Sequence, residues 1–403
     1  MILRKRNLGA VLLFLVSIVM NISAKGVLDM NAKEPQVTIS EDNELLPIEI
    51  VAKEYFLDLQ PWKEGMLATV DGWGRFSEMT FHKGDKYKVT PLVKFPKMQM
   101  DKDVRAWPDH NLFFAHNGKM MFVADVESKK TKDFIPFLTW VYRENVPVLL
   151  DGDEGLLLFQ YKDVDDGTFK NIYYNYKTDE QYEDEEKGNV RILWSFEKDV
   201  VMTYRVEADR TQVHAFYNWR TKEFFTNKLI DTLNTNRFYN PGGTETFQFI
   251  TKPGIFFSTS KTLPGFYKIT WNEDYSEVDV LPVSYLLPKG KSFSSFYLSK
   301  DGKWATVFIT GYKGLYGEDI ARRVFFHLDA RYPGGISMPI FADGYEEDNW
   351  MYGAFFNHPE YGPCYAHEYY KEDQQYLRLY KMSDVVTLIN QKLLDTASEV
   401  VKK

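Results

Sequence analysis

Short runs of alternating apolar and polar residues, each closed by a turn of Asp, Asn, Gly or Lys, recur along almost the whole chain. The clearest case is residues 296–310, where FYLSKDGKWATVFIT reads as a strand, a turn at Ser299-Lys300-Asp301-Gly302 and a second strand. Asp-Gly between two β-rich runs is a strong hairpin signal, and it predicts a type I′ turn with both central residues at positive φ. A second hairpin, residues 323–329 and 335–341, completes a four-stranded antiparallel unit.

That unit repeats. A strand, a polar turn of two to five residues and another strand return around Phe81, Ala124, Tyr174, Tyr217, Tyr267, Phe326 and Tyr380, at intervals of 43, 50, 43, 50, 59 and 54 residues. Room for one more hairpin remains between successive anchors, which gives four strands per repeat. No stretch before the C-terminus holds a 3.6-residue period over helix length, which excludes α/β folds and helical solenoids. A sandwich would need no fixed period. The pattern therefore predicts an all-β fold, a single β-propeller of seven four-stranded blades over residues 47–382, with six or eight blades as the alternatives. Residues 383–403 predict a short C-terminal amphipathic helix with Ser383 as N-cap and Val386, Ile389, Leu393, Ala397 and Val400 on one face. The last repeat then lacks an outer strand. Residues 47–52, PIEIVA, are the natural supplier, and they would close the ring by joining the two ends of the chain.

The stretch Tyr297-Leu-Ser-Lys-Asp-Gly-Lys-Trp-Ala-Thr-Val307 resembles the TolB-type, WD-like propeller repeat, whose core is Ser-Pro-Asp-Gly-Lys ahead of an apolar strand; Lys300 replaces the Pro. Fainter echoes are AHNGKMMF at 115–122 and LDGDEGL at 150–156. The resemblance implies the fold and a structural role for Asp301-Gly302. It implies no catalytic residue.

The first residues change the picture of where the protein works. Three positive charges in residues 1–7, an apolar run over 8–20 and small residues up to Ala24 read as a secretory signal peptide, residues 1–24. No cysteine follows the run, so the expectation is an exported protein, periplasmic or secreted, and not a lipoprotein. Residues 25–46 are polar and aperiodic and read as a flexible leader. Aromatic residues make up 16% of the chain, set among Val, Ile and Thr, which favours strands. A net charge of −8 argues against nucleic acid and anionic membranes as partners, and no membrane insertion is expected after signal cleavage.

Candidate chemistry is sparse. His358, Cys364 and His367, with two Glu nearby, are residue types that zinc accepts, although their spacing fits neither a helical pair nor a knuckle. The acidic turn at 151–154 and the one containing Asp163 and Asp165 have the carboxylate density calcium favours, but neither completes a calcium loop. No cofactor is expected; calcium or zinc is the alternative. The acidic run at 178–187, TDEQYEDEEK, reads as a solvated loop between strands. Trp73, Trp107 and Trp350 are candidate binding residues, with packing between blades as the competing role; Trp73 lies in a Gly-rich turn where exposure is expected. The sequence holds no hydrolase elbow, phosphate loop or dinucleotide motif. The function expected from this is a non-catalytic exported binding protein presenting loop surfaces to a protein or glycan partner. The alternative is a glycan-active hydrolase or lyase with carboxylates near the propeller channel.

Overall fold

A computed structural model of the chain describes residues 39–40, 45–56, 58–95, 104–116, 121–134, 148–162, 169–188, 190–195, 199–206, 212–228, 230–231, 247–249, 254–258, 265–272, 277–284, 292–313, 319–329, 332, 335–338, 353–371 and 374–402. Among the described residues the strands form seven sheets, each built on an antiparallel meander of strands neighbouring in the chain. The fold is a β-propeller. Blade 1 spans 58–94, blade 2 spans 104–134, blade 3 spans 148–188, blade 4 spans 190–225, blade 5 spans 247–284, blade 6 spans 292–337 and blade 7 spans 353–381.

The first strands of neighbouring blades meet: Gly353–His358 contacts Asp58–Pro61, and Asp58–Pro61 contacts Val104–Trp107. The first strand of each blade is therefore innermost. Apolar faces of adjacent blades form the core between them. Met79, Phe81, Phe356 and Leu377 fill the space between blades 7 and 1, and Trp62, Phe76, Phe95 and Phe113 that between blades 1 and 2. Both faces of a second strand are covered, so strands such as Met66–Val70 and Leu112–His116 read as apolar runs without alternation.

Blade 7 takes its outer strand from the other end of the chain. Ile48–Val51 pairs antiparallel with Gln374–Lys381, Ile48 opposite Leu379 and Val51 opposite Tyr376. Ile50 and Ala52 are buried there. Within the stretch read as a leader, Ile39–Ser40 lies parallel to Gly335–Ser337 as a fifth strand of blade 6, and Leu45 is buried beside the C-terminal helix. Two residues cannot display a period, so this pairing has no sign in the residue pattern. The helix, α1, spans Met382–Lys402 and starts one residue before the predicted cap; Asp384 in its first turn pairs with Lys381 at 3.0 Å. Met382, Val385 and Ile389 bury its seam against blades 6 and 7.

The acidic run is not a loop. Glu180–Gly188 is the outer strand of blade 3, and its described residues through Glu183 are exposed. An outer strand has little core to meet, so apolar alternation vanishes, and dense charge blunts a sheet edge that would otherwise invite pairing.

Blades 2, 3 and 4 share one outer turn that the strand pattern hides. Asp125, Asn175 and Asn218 each accept two backbone N–H bonds from the residues two and three positions on, and Lys129, Asp179 and Lys222 then take φ of 55, 66 and 63°. These turns also link blades. Arg220 of blade 4 bonds Asp199 at 2.5 Å and reaches Glu154 of blade 3 at 2.8 Å, while Lys132 of blade 2 pairs with Asp179. The carboxylates of the 151–154 turn are engaged with the protein itself: Asp151 caps the Glu154 N–H at 2.8 Å and faces Arg220.

Candidate functional site

Successive turns of an antiparallel blade alternate between its two ends, so the turns joining first and second strands lie on one face of the propeller. On that face the inner turns of blades 6, 7 and 1 enclose a cavity of about 310 Å³. Its wall is apolar and buried: Trp62, Trp304, Phe355, Phe356 and Cys364. Its rim is charged and exposed, with Lys63 and Glu64 from blade 1, Lys300 and Asp301 from blade 6, and Asn357 from blade 7.

Local chemistry fixes each turn. In blade 1 the Trp62 N–H bonds the Met66 carbonyl at 3.2 Å and Gly65 sits at φ 72°, where a side chain would meet the Asn357 carbonyl at 3.2 Å. In blade 6 the Asp301 carboxylate accepts the Ser299 hydroxyl at 2.6 Å and the Lys303 N–H at 3.1 Å, while Ser299 Oγ accepts the Trp304 N–H at 2.9 Å. Gly302 has φ 65°, but Asp301 is not among the residues with positive φ. The type I′ expectation is thereby corrected: one left-handed residue, not two, makes this turn, because the carboxylate bonds hold Asp301 without it. Gly302→Val is expected to cost about 1–3 kcal/mol. Asp301→Asn keeps an acceptor oxygen and is expected to melt within a degree or two of the parent, a comparison thermal unfolding makes directly.

Lys300 reaches across the face to Asp109 of blade 2 at 2.5 Å. Blades 7 and 1 lie between blades 6 and 2 in ring order, so this ion pair joins turns of two blades that are not neighbours. Both partners are exposed, which makes it a weak, salt-sensitive contact.

The predicted zinc ligands are not brought together. His358 stands opposite Gly362 and His367 opposite Gly353, at the two ends of one hairpin. Five residues of strand separate these positions, roughly 17 Å. Cys364 pairs with Phe356 and lies on the other face of the sheet from His367, since side chains alternate along a strand. His358 and Cys364 each have a local explanation. His358 Nδ1 accepts the Glu360 and Tyr361 N–H groups at 3.1 and 3.3 Å, its ring stacks on Tyr361, and burial pulls its pKa below the usual imidazole value. Burial pushes the Cys364 thiol up to about 12, so at neutral pH it is no nucleophile. Among the described residues no three His, Cys, Asp or Glu side chains are placed to hold a metal ion. Asp163 and Asp165 lie outside the described residues, as does Trp350.

Trp73 is 74% exposed in the Asp71–Gly74 turn, held by Asp71, which accepts the Trp73 and Arg75 N–H groups, each at 2.9 Å. This turn joins the second and third strands of blade 1, so Trp73 is on the face opposite the cavity. Trp107 is half-buried against the core between blades 2 and 3. Nothing in the sequence sets Trp62 and Trp304, which line the cavity, apart from the other tryptophans: an indole beside a hairpin turn reads as packing whether or not a cavity adjoins it.

No protein family and no curated protein matches the chain. Among solved structures it is similar to the C-terminal WD40 domain of Sif2, with 11% identity over 83% of this chain and 98% of that one, at a TM-score of 0.47. The propeller domain of the trilobed protease from Pyrococcus furiosus shows 9% identity over 81% of this chain and 95% of that one, at 0.42. TolB from Acinetobacter baumannii shows 10% identity over 67% and 64%, at 0.36.

Proposed function

We propose that this chain is an exported, non-catalytic binding protein that engages a protein partner through the face carrying the blade 6, 7 and 1 turns. One observation carries this reading: a cavity of about 310 Å³ with a buried aromatic wall and an exposed rim of mixed charge. A concave apolar pocket ringed by polar groups suits an apolar side chain of a partner, with the rim setting orientation. Sugar binding is less well supported, because stacking needs an open aromatic face. Trp62 and Trp304 are only 2% and 6% exposed, and Trp62 is already stacked on Phe113 at 4.5 Å. Hydrolysis is less well supported too, because Asp301 is occupied within its own turn and Cys364 is protonated.

A photo-crosslinking residue at position 357 is expected to capture a discrete protein adduct that is lost when Met66→Trp fills the cavity. The same probe at position 73, on the opposite face, is expected to capture nothing. Equal adducts from both positions, or adducts indifferent to Met66→Trp, would remove the cavity from the function. Export has its own check: the mature chain should begin at Lys25 by mass spectrometry, and an intact Met1 in the cytosolic fraction would defeat it.

A further inference from the structure

The interface between blades 6 and 7 buries polar groups that the cavity does not use. His367 is 3% exposed, and neither of its ring nitrogens has a hydrogen-bond partner. The Tyr380 hydroxyl is fully buried and also without one. His367 stands directly opposite Arg378 in the sheet and Tyr380 directly opposite Tyr365, all on the face of blade 7 that meets blade 6. From blade 6, Arg323 enters the same space at 1% exposure, donates to the Tyr365 hydroxyl and lies 4.1 Å from the Phe308 ring centroid. Both guanidiniums act electrostatically on His367 and on Tyr380, and the Glu49 carboxylate opposes them at Tyr380, so two cations and one carboxylate set the field around the two orphaned groups.

We propose that this interface holds one small monoanion of the halide class, bound by the His367 N–H and the Tyr380 hydroxyl within the field of Arg323 and Arg378. A buried polar group without a partner costs about 1–3 kcal/mol, so two side by side call for an occupant. The two cations decide its sign. A water could accept the same two hydrogen bonds, but an anion also gains the attraction of both guanidiniums in a medium that screens poorly. A cation would be repelled. The size follows from burial: His367 is 3% exposed and Tyr380 is fully buried, so an occupant that reaches both is closed off from solvent, which favours a monatomic anion over a phosphate. Glu49 does not fill the role, because it sits on the outer strand, where it accepts from Arg378 at 2.8 Å and Tyr369 at 3.0 Å. Burial and the two arginines keep His367 neutral, so it offers one N–H at any pH near 7.

The test uses the mature chain at pH 8 and constant ionic strength, with chloride exchanged for gluconate. A ligand of the folded state alone raises stability with its concentration, so Tm is expected to climb by roughly 1–2 °C for each tenfold of chloride above half-saturation. Tyr380→Phe keeps the ring, removes one donor and should flatten that slope, whereas Leu394→Ser on the exposed side of α1 should leave it intact. Crystals grown with bromide should show an anomalous peak within hydrogen-bonding distance of His367 and Tyr380. A parent Tm indifferent to chloride, or ordinary water density at that point without anomalous signal, would overturn the proposal. The bromide crystals of the parent decide the matter even if Tyr380→Phe does not fold.

Discussion

A chain beginning at Lys53 is expected to lose the cooperative unfolding of the parent and to associate in solution, whereas one beginning at Ile39 should melt close to the parent. The first truncation removes Ile48–Val51, the outer strand of blade 7. Three losses coincide. The backbone of Gln374–Lys381 becomes an open edge, the kind of edge that pairs with other chains. Ile50 leaves the core between blades 7 and 1, a term of about 1.5–3 kcal/mol. Arg378, whose side chain is 9% exposed, loses the carboxylate of Glu49, whose side chain is 43% exposed; solvent screens that pair and makes this the smallest of the three losses. These losses together are a sizeable share of the 5–15 kcal/mol that typically hold a domain folded. The chain beginning at Ile39 keeps Leu45 and the Ile39–Ser40 pairing, so the contacts described here survive. Thermal melts and gel filtration of the two truncations settle the point: equal melting temperatures and equal elution would mean that the strand does not close the ring.

What could be read in advance follows from how each feature is encoded. The blade repeat was legible because the middle strands meet a neighbouring blade on both faces, which writes a similar apolar run into each repeat. The closing strand was legible through an imbalance: the last repeat lacks a strand and the N-terminal region has one to spare. Glu180–Gly188 was not legible, because an outer strand owes its place to backbone bonds and to neighbours such as Tyr173, which stacks on Tyr182 at 4.7 Å, and not to its own pattern. The turn at Asp301 was placed correctly but given the wrong conformation, since Asp-Gly fits a turn with one left-handed residue as well as one with two. His358, Cys364 and His367 looked like a cluster because they are close in sequence. A hairpin converts that closeness into opposite ends and opposite faces. The cavity had no local signature, because its wall joins blade 1 to blades 6 and 7, some 240 to 300 residues further along the chain.

Acidification is expected to unfold the protein in the range where histidines titrate, before the carboxylates do. His367 is held well below the usual imidazole pKa, first by burial and then by Arg323 and Arg378, and burial lowers His358 as well. The unfolded chain protonates both near the ordinary value of about 6.5. Below that pH the unfolded state therefore binds more protons than the native state, and stability falls with falling pH until the native imidazole itself takes up a proton. The loss approaches about 1.4 kcal/mol per pH unit for a histidine that stays neutral when folded, or about 2 kcal/mol for His367 between pH 6.5 and 5. His358 adds in the same direction over a narrower range. Asp179, which is lowered by its bonds to Lys132 and Tyr174, adds its own share only at pH values below the ordinary carboxylate range, so the two effects separate along the pH axis. Denaturant melts between pH 7.5 and 4.5 should show stability level at the alkaline end and declining through 6.5, and His367→Leu should remove about one proton from that slope. If the leucine variant is too unstable to compare, proton NMR of the parent gives the same answer: the His367 ring signals should stay unmoved at pH 5 while an unfolded-state imidazole has titrated. A His367 midpoint near 6.5 would show that the ring is solvated in the folded protein and would cancel the predicted acid instability.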